Sequence, residues 1–171
     1  MKSIGYILFL ALLPLAGCDK DENDNLKLPP ATQTGARTFG CLVDGKVFGH
    51  NDGVINCFYQ LIEGGYYFGI SAEGNITPKY IHILGNQVSI VQGESYPLST
   101  EDDGNFFALA AFEEANDAGY TDEIYQGELT ITKFDLQTNI ISGTFWFDIP
   151  HPITGDTVEI REGRFDTYFT Q

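Results

Sequence analysis

The chain has 171 residues, enough for one domain with a real core, and carries 24 Asp and Glu against 9 Lys and Arg, a formal charge of −15. That balance excludes the nucleic-acid binders, which need clustered cations to neutralise phosphate. It also leaves no polybasic patch to hold anionic lipid head groups.

The first element is not structural. Met1-Lys2-Ser3 leads into an apolar run from Ile4 to Ala16, the layout of a secretory signal. The run is too short to span a bilayer, which takes about 20 apolar residues. It closes on Leu15-Ala16-Gly17-Cys18, which resembles the lipobox of bacterial lipoproteins. The resemblance implies cleavage before Cys18, a thioether-linked diacylglycerol on its sulfur and a further palmitate-type chain on its freed amine. Several acyl chains on one residue anchor stably where a single chain does not. The next residues, Asp19-Lys20-Asp21-Glu22, resemble the surface-export signal of Bacteroidota lipoproteins, with Lys20, Asp21 and Glu22 as its carriers. The expected location is therefore the outer membrane, facing the cell exterior. The other reading of the same run is a solvated acidic tether facing the periplasm. Asp19, Asp21 and Asn23 share the opening spacing of a calcium loop, but Asp24 stands where its turn needs glycine.

Residues 1–17 are thus read as signal peptide, 18–38 as acylated cysteine and flexible acidic tether, and 39–171 as the folded domain. The tether assignment rests on acids, Asn and Pro29-Pro30 with few apolar residues. From Phe39 the chain becomes a series of short β-prone runs punctuated by Gly, Asn and Asp. Asp44-Gly45, Gly64-Gly65 and Gly85-Asn86-Gln87 each separate two such runs, which predicts three hairpins. In the third, Tyr80–Leu84 pairs with Val88–Val91. Phe106–Phe112 reads as a buried strand, although its alanines would also suit a short helix. Gln126–Phe134, Ile140–Ile149 and Val158–Phe169 form a closing meander. No amphipathic helix of useful length appears. The fold class is all-β: one antiparallel sandwich or barrel-like domain of about nine or ten short strands.

Alternation places the core. Leu129 and Ile131 share one face; Ile141, Gly143, Phe145, Phe147 and Ile149 share another, with Ser142, Thr144, Trp146 and Asp148 opposite. In the last strand Val158 and Ile160 are out of phase with Phe165 and Phe169. A bulge near Glu162-Gly163 restores the register, because glycine readily takes the left-handed conformation.

With Cys18 committed to lipid, Cys41 and Cys57 remain. Outside the cytoplasm they are candidates for a disulfide; as two small apolar side chains on neighbouring strands they need no bond. They are too few for a zinc site. His50, His82 and His151 stand apart without companions at metal or triad spacing, and the acids at 101–103, 113–114, 117 and 122–123 lack calcium-loop spacing. No metal and no cofactor is read here. The most informative side chain is Trp146: an indole on the solvent face of a strand, beside Thr144 and Asp148, suits stacking on a sugar ring or a peptide.

Two stretches carry a wider resemblance. Leu28–Gly35 running into Thr38–Lys46, and Ile141–Phe147 followed by Gly163-Arg164-Phe165-Asp166, are similar to the ends of Bacteroidota lipoproteins that bear a domain of unknown function. The resemblance implies an all-β fold and supplies no catalytic residue. The reading that follows is a membrane-anchored, surface-exposed lipoprotein acting as a non-catalytic binding or accessory module for a glycan, peptide or protein. The alternatives are a structural or interaction lipoprotein, an enzyme inhibitor among them, and then a hydrolase.

Overall fold

A computed structural model of the protein describes residues 27–49, 55–74, 76–112 and 117–171. Among these there is no helix. The strands are β1 (Thr38–Val43), β2 (Lys46–Phe48), β3 (Ile55–Ile62), β4 (Gly65–Glu73), β5 (Tyr80–Gly85), β6 (Ser95–Leu98), β7 (Phe106–Ala111), β8 (Ala118–Tyr120), β9 (Gly127–Asp135), β10 (Ile140–Pro150) and β11 (Thr157–Tyr168). They join in one sheet, ordered β2-β1-β11-β10-β9-β6-β7-β5-β4-β3 with β8 beside β7. Twisted strands in this number curl, and the result is an open, barrel-like sheet wrapped round a single core. Its β3 edge meets the chain's end: Tyr59 N–H donates to Thr170 O at 2.8 Å and Thr170 N–H to Cys57 O at 3.0 Å.

The all-β expectation holds, with differences in detail. Asp44-Gly45 turns β1 into β2 with both residues at positive φ, as this dipeptide favours. The second hairpin turns one residue earlier than expected, on Glu63-Gly64, so that Gly65 already pairs with Ile62. The third hairpin does not form. β5 pairs with β4 and β7 instead, and residues 86–94 run as a loop whose Val88 and Ile90 are buried in the core. Apolar content alone could not separate a strand from a loop that caps the core. Two short strands, β6 and β8, had no clear pattern in the sequence, and β6 pairs with β7 in parallel, which makes the sheet mixed.

The alternation reading holds along the meander. Leu129, Ile131, Ile141, Phe145, Phe147, Ile149, Val158, Ile160, Phe165 and Phe169 are all buried. The bulge in β11 is present. Phe145 pairs with Gly163 and Phe147 with Ile160, so Arg161 and Glu162 together oppose Trp146. β1 shows the same step between Gly40 and Leu42, which means that one extra residue in β11 is accommodated by both neighbours. The residue in the left-handed region is Glu162, at φ 50°, and not the glycine beside it. Gly163 serves a different end: a Cβ there would collide with the Phe145 ring. Gly163→Ala should therefore lower stability by about 2 kcal/mol, as overpacking a filled core does. A urea midpoint equal to the parent's would show that the ring has room to move aside.

Candidate functional site

Strands β9, β10 and β11 present a continuous outer face. β10 lies between the other two, with Thr144 across from Thr130 and Arg164, and Trp146 across from Glu128. Inward-facing Phe145 and Phe147 fix the phase of β10, so Thr144 and Trp146 must turn outward. The bulge then sets two consecutive β11 side chains against the indole. Arg161 places its guanidinium 5.5 Å from the Trp146 ring centroid, within the range of a cation–π contact. It is held there by Asp148 Oδ1 at 2.7 Å and Glu159 Oε1 at 3.2 Å. Asp148 thus serves the indole through Arg161. Glu162 meets Arg164 at 3.3 Å.

Around the indole lies an open depression of about 340 Å³, bordered by Glu128, Thr130, Thr144, Glu162 and Arg164. Trp146 keeps 42% of its surface exposed. The far wall comes from outside the sheet. Ala31 lines the depression, because residues 29–36 lie along the sheet as a strap.

The strap is tied by one residue. Asp166, only 1% exposed, accepts hydrogen bonds on Oδ2 from Thr32 Oγ1 at 2.6 Å and from the N–H groups of Thr34 and Ala36 at 2.9 and 3.2 Å. Its Oδ1 accepts from Gly35 N–H at 2.7 Å and Ser142 Oγ at 2.8 Å. Burial by itself would raise the pKa of this carboxyl. The donors from Thr32, Thr34, Gly35 and Ser142 outweigh it and hold the group at about 2. Pro29 and Gly35 close the fit: a Cβ on Gly40 would meet the Pro29 ring, and one on Gly35 the Tyr168 ring. The stretch read as flexible tether is in this part a fitted segment of the domain. Its composition was misleading because hydrogen bonds to a buried charge hold it, where hydropathy registers only apolar burial.

The other expected site residues fall out as follows. Thr144 and Trp146 come together at the depression, with Asp148 one step behind them. Cys41 and Cys57 are free, buried thiols, and burial pushes both well above the ordinary thiol range. Of the two readings left open for them, the structure has the unbonded one: β1 and β3 are not neighbours in the sheet, and each thiol fills a core position as a small apolar group. Cys18, Lys20, Asp21, Glu22 and His50 lie outside the described residues. His151 accepts from the N–H groups of Ile153 and Thr154 on Nδ1 and so shapes a turn. His82 stands half-buried on β5 beside Tyr80, and burial lowers its pKa. Glu128, Thr130, Arg161 and Asp166 were missed. Three of these gain their meaning only from strand register. Asp166 could have been noticed as a charged residue between Phe165 and Thr167, at a point where the strand had to be covered on both faces.

The geometry defines a curled all-β domain with a small open depression on its outer face, floored by one indole and rimmed by polar side chains. Residues 81–167 match the family described as Domain of unknown function (DUF6252), and the chain belongs to that family. No curated protein and no solved structure matches it. The matched stretch contains Glu128, Thr144, Trp146, Arg161 and Asp166; the strap lies before it.

Proposed function

We propose that this chain is a membrane-anchored lipoprotein, displayed on the outer surface of the cell, whose domain binds a ligand without transforming it. The observation that carries the binding role is Trp146: a half-exposed indole, pre-oriented by Arg161 and surrounded by hydroxyl, carboxylate and guanidinium groups in a depression. Large aromatic anchors of this kind carry much of the energy of recognition. Anchoring rests on the lipobox resemblance at Cys18, and display on Lys20, Asp21 and Glu22. Cys18→Ser is expected to leave the protein in the soluble fraction on detergent partitioning. A mutant still membrane-bound in high salt would refute the lipid anchor. Replacing Lys20, Asp21 and Glu22 by Ala should reduce antibody labelling of intact cells at constant total protein; unchanged labelling would refute the export signal. For binding, loss of ligand from an array on Trp146→Ala is the test.

A second reading has its own support. At the turn between β3 and β4, Leu61, Ile62 and Tyr66 stand 61%, 47% and 42% exposed, an apolar tip suited to a protein partner. Under this reading, Leu61→Asp with Ile62→Asp would abolish co-purification of that partner, whereas Trp146→Ala would not.

A further inference from the structure

Resting on the binding reading above, we infer that the depression receives a pyranose ring of a neutral glycan, stacked on the free side of Trp146. Several observations narrow the class. The floor is a flat aromatic surface that matches the C–H face of a sugar ring. The rim is made of groups that exchange hydrogen bonds with hydroxyls: Thr130 and Thr144 both donate and accept, Glu128 accepts and Arg164 donates. Thr130 Oγ1 lies 2.7 Å from Ser95 Oγ, which continues the polar row onto β6 for a second sugar unit.

Backbone geometry argues against a peptide held as an added strand. That mode of capture needs a free sheet edge, and β10 has β9 on one side and β11 on the other. Its N–H and C=O groups are already used in two ladders, so only side chains remain for recognition.

Charge argues against an anion. Arg161 is engaged by Asp148 and Glu159, and Arg164 by Glu162. Glu128 faces the indole from the next strand with no cation to offset it among the described residues. The whole chain, at −15, repels sulfated, phosphorylated or uronic ligands. The size of the depression, about 340 Å³, is at the small end of ligand pockets. It fits a short stretch of an oligosaccharide, and its open form gives a lipid tail no enclosed apolar channel.

The chain reports on its own site, because Trp146 is its single tryptophan. The full chain in detergent micelles is titrated with neutral oligosaccharides (glucans, mannans and xylans), with sulfated and uronic counterparts, and with a peptide library. The expected result is a saturable change in tryptophan fluorescence with a neutral glycan, insensitive to salt and at least about tenfold weaker with its charged counterparts. Trp146→Ala should weaken binding of that glycan, measured by calorimetry, by about 30-fold or more. Trp146→Phe should restore part of it, and Glu128→Gln should reduce it several-fold with folding unchanged. A peptide or an anionic glycan that binds in place of neutral sugars and depends on Trp146 would overturn the glycan inference and leave the binding site standing. A neutral glycan bound equally well by Trp146→Ala, or no ligand from any of the three sets, would overturn both.

Discussion

Asp166→Asn is expected to destabilise the domain by about 3 kcal/mol, because the carboxylate accepts several charge-assisted hydrogen bonds in a buried site. An asparagine has the same shape but the wrong complement. Whichever way its amide is turned, the NH2 would face either the N–H of Thr34 or that of Gly35, each a donor as well. The urea midpoint should fall, and the strap should come away from the sheet, so that trypsin cuts after Arg37 faster than in the parent. Equal cutting rates together with an unchanged midpoint would show that something else holds the strap. The same carboxyl sets an acid limit on stability. Its folded pKa, about 2, is below the value of about 3.9 for an unfolded chain. The contribution is therefore complete above about pH 5 and is lost as the pH falls through the folded value near 2, a difference of about 2.5 kcal/mol. In Asp166→Asn this part of the acid dependence should vanish.

Trp146→Ala should behave in the opposite way, with a large effect on binding and a small one on stability. A fully buried tryptophan costs about 3 to 5 kcal/mol on truncation. Trp146 leaves much of its ring in solvent, and its cation–π contact with Arg161 contributes about 0.5 to 1 kcal/mol at an exposed site. The expected loss is close to 1 kcal/mol, while binding falls by about 2 kcal/mol or more. A denaturation midpoint that collapses would mean that the ring is chiefly a packing element. The aromatic anchor would then have to be sought elsewhere, with the apolar tip at Leu61 and Ile62 the next place to test.

The particular residues show what a sequence of this kind discloses. Period-two alternation in β9, β10 and β11 was legible because one face of each strand meets the core, and a slip of one residue would reverse every side chain. The same parity turns Trp146 and Thr144 outward. Even the bulge could be inferred, since Val158-Ile160 and Phe165-Phe169 cannot both face inward without an extra residue. What alternation does not supply is the neighbour across the ladder. Glu128 lies eighteen positions before Trp146, and only the register of β9 on β10 brings them together. Likewise, nothing in Val88–Val91 distinguishes an edge strand from a loop laid over the core, because both bury alternate apolar residues. The strap was the least legible part, having no large apolar side chain and being tied to a charge more than a hundred residues away.

Under the proposed anchoring, that strap would also set how far the domain stands from the membrane. For a chain acylated at Cys18, a free arm extending to Thr38 would measure up to about 70 Å when fully stretched. Once the chain is pinned from Pro29 onward, the arm is at most about 40 Å, and the pinned portion runs along the flank that carries Trp146. Under the proposed lipid anchor, the domain would work as a short-leashed receptor, sampling a thin layer next to the lipid. A polymer would have to thread down to that layer to be held, and captured chains would lie close to whatever transporters or enzymes share the same membrane.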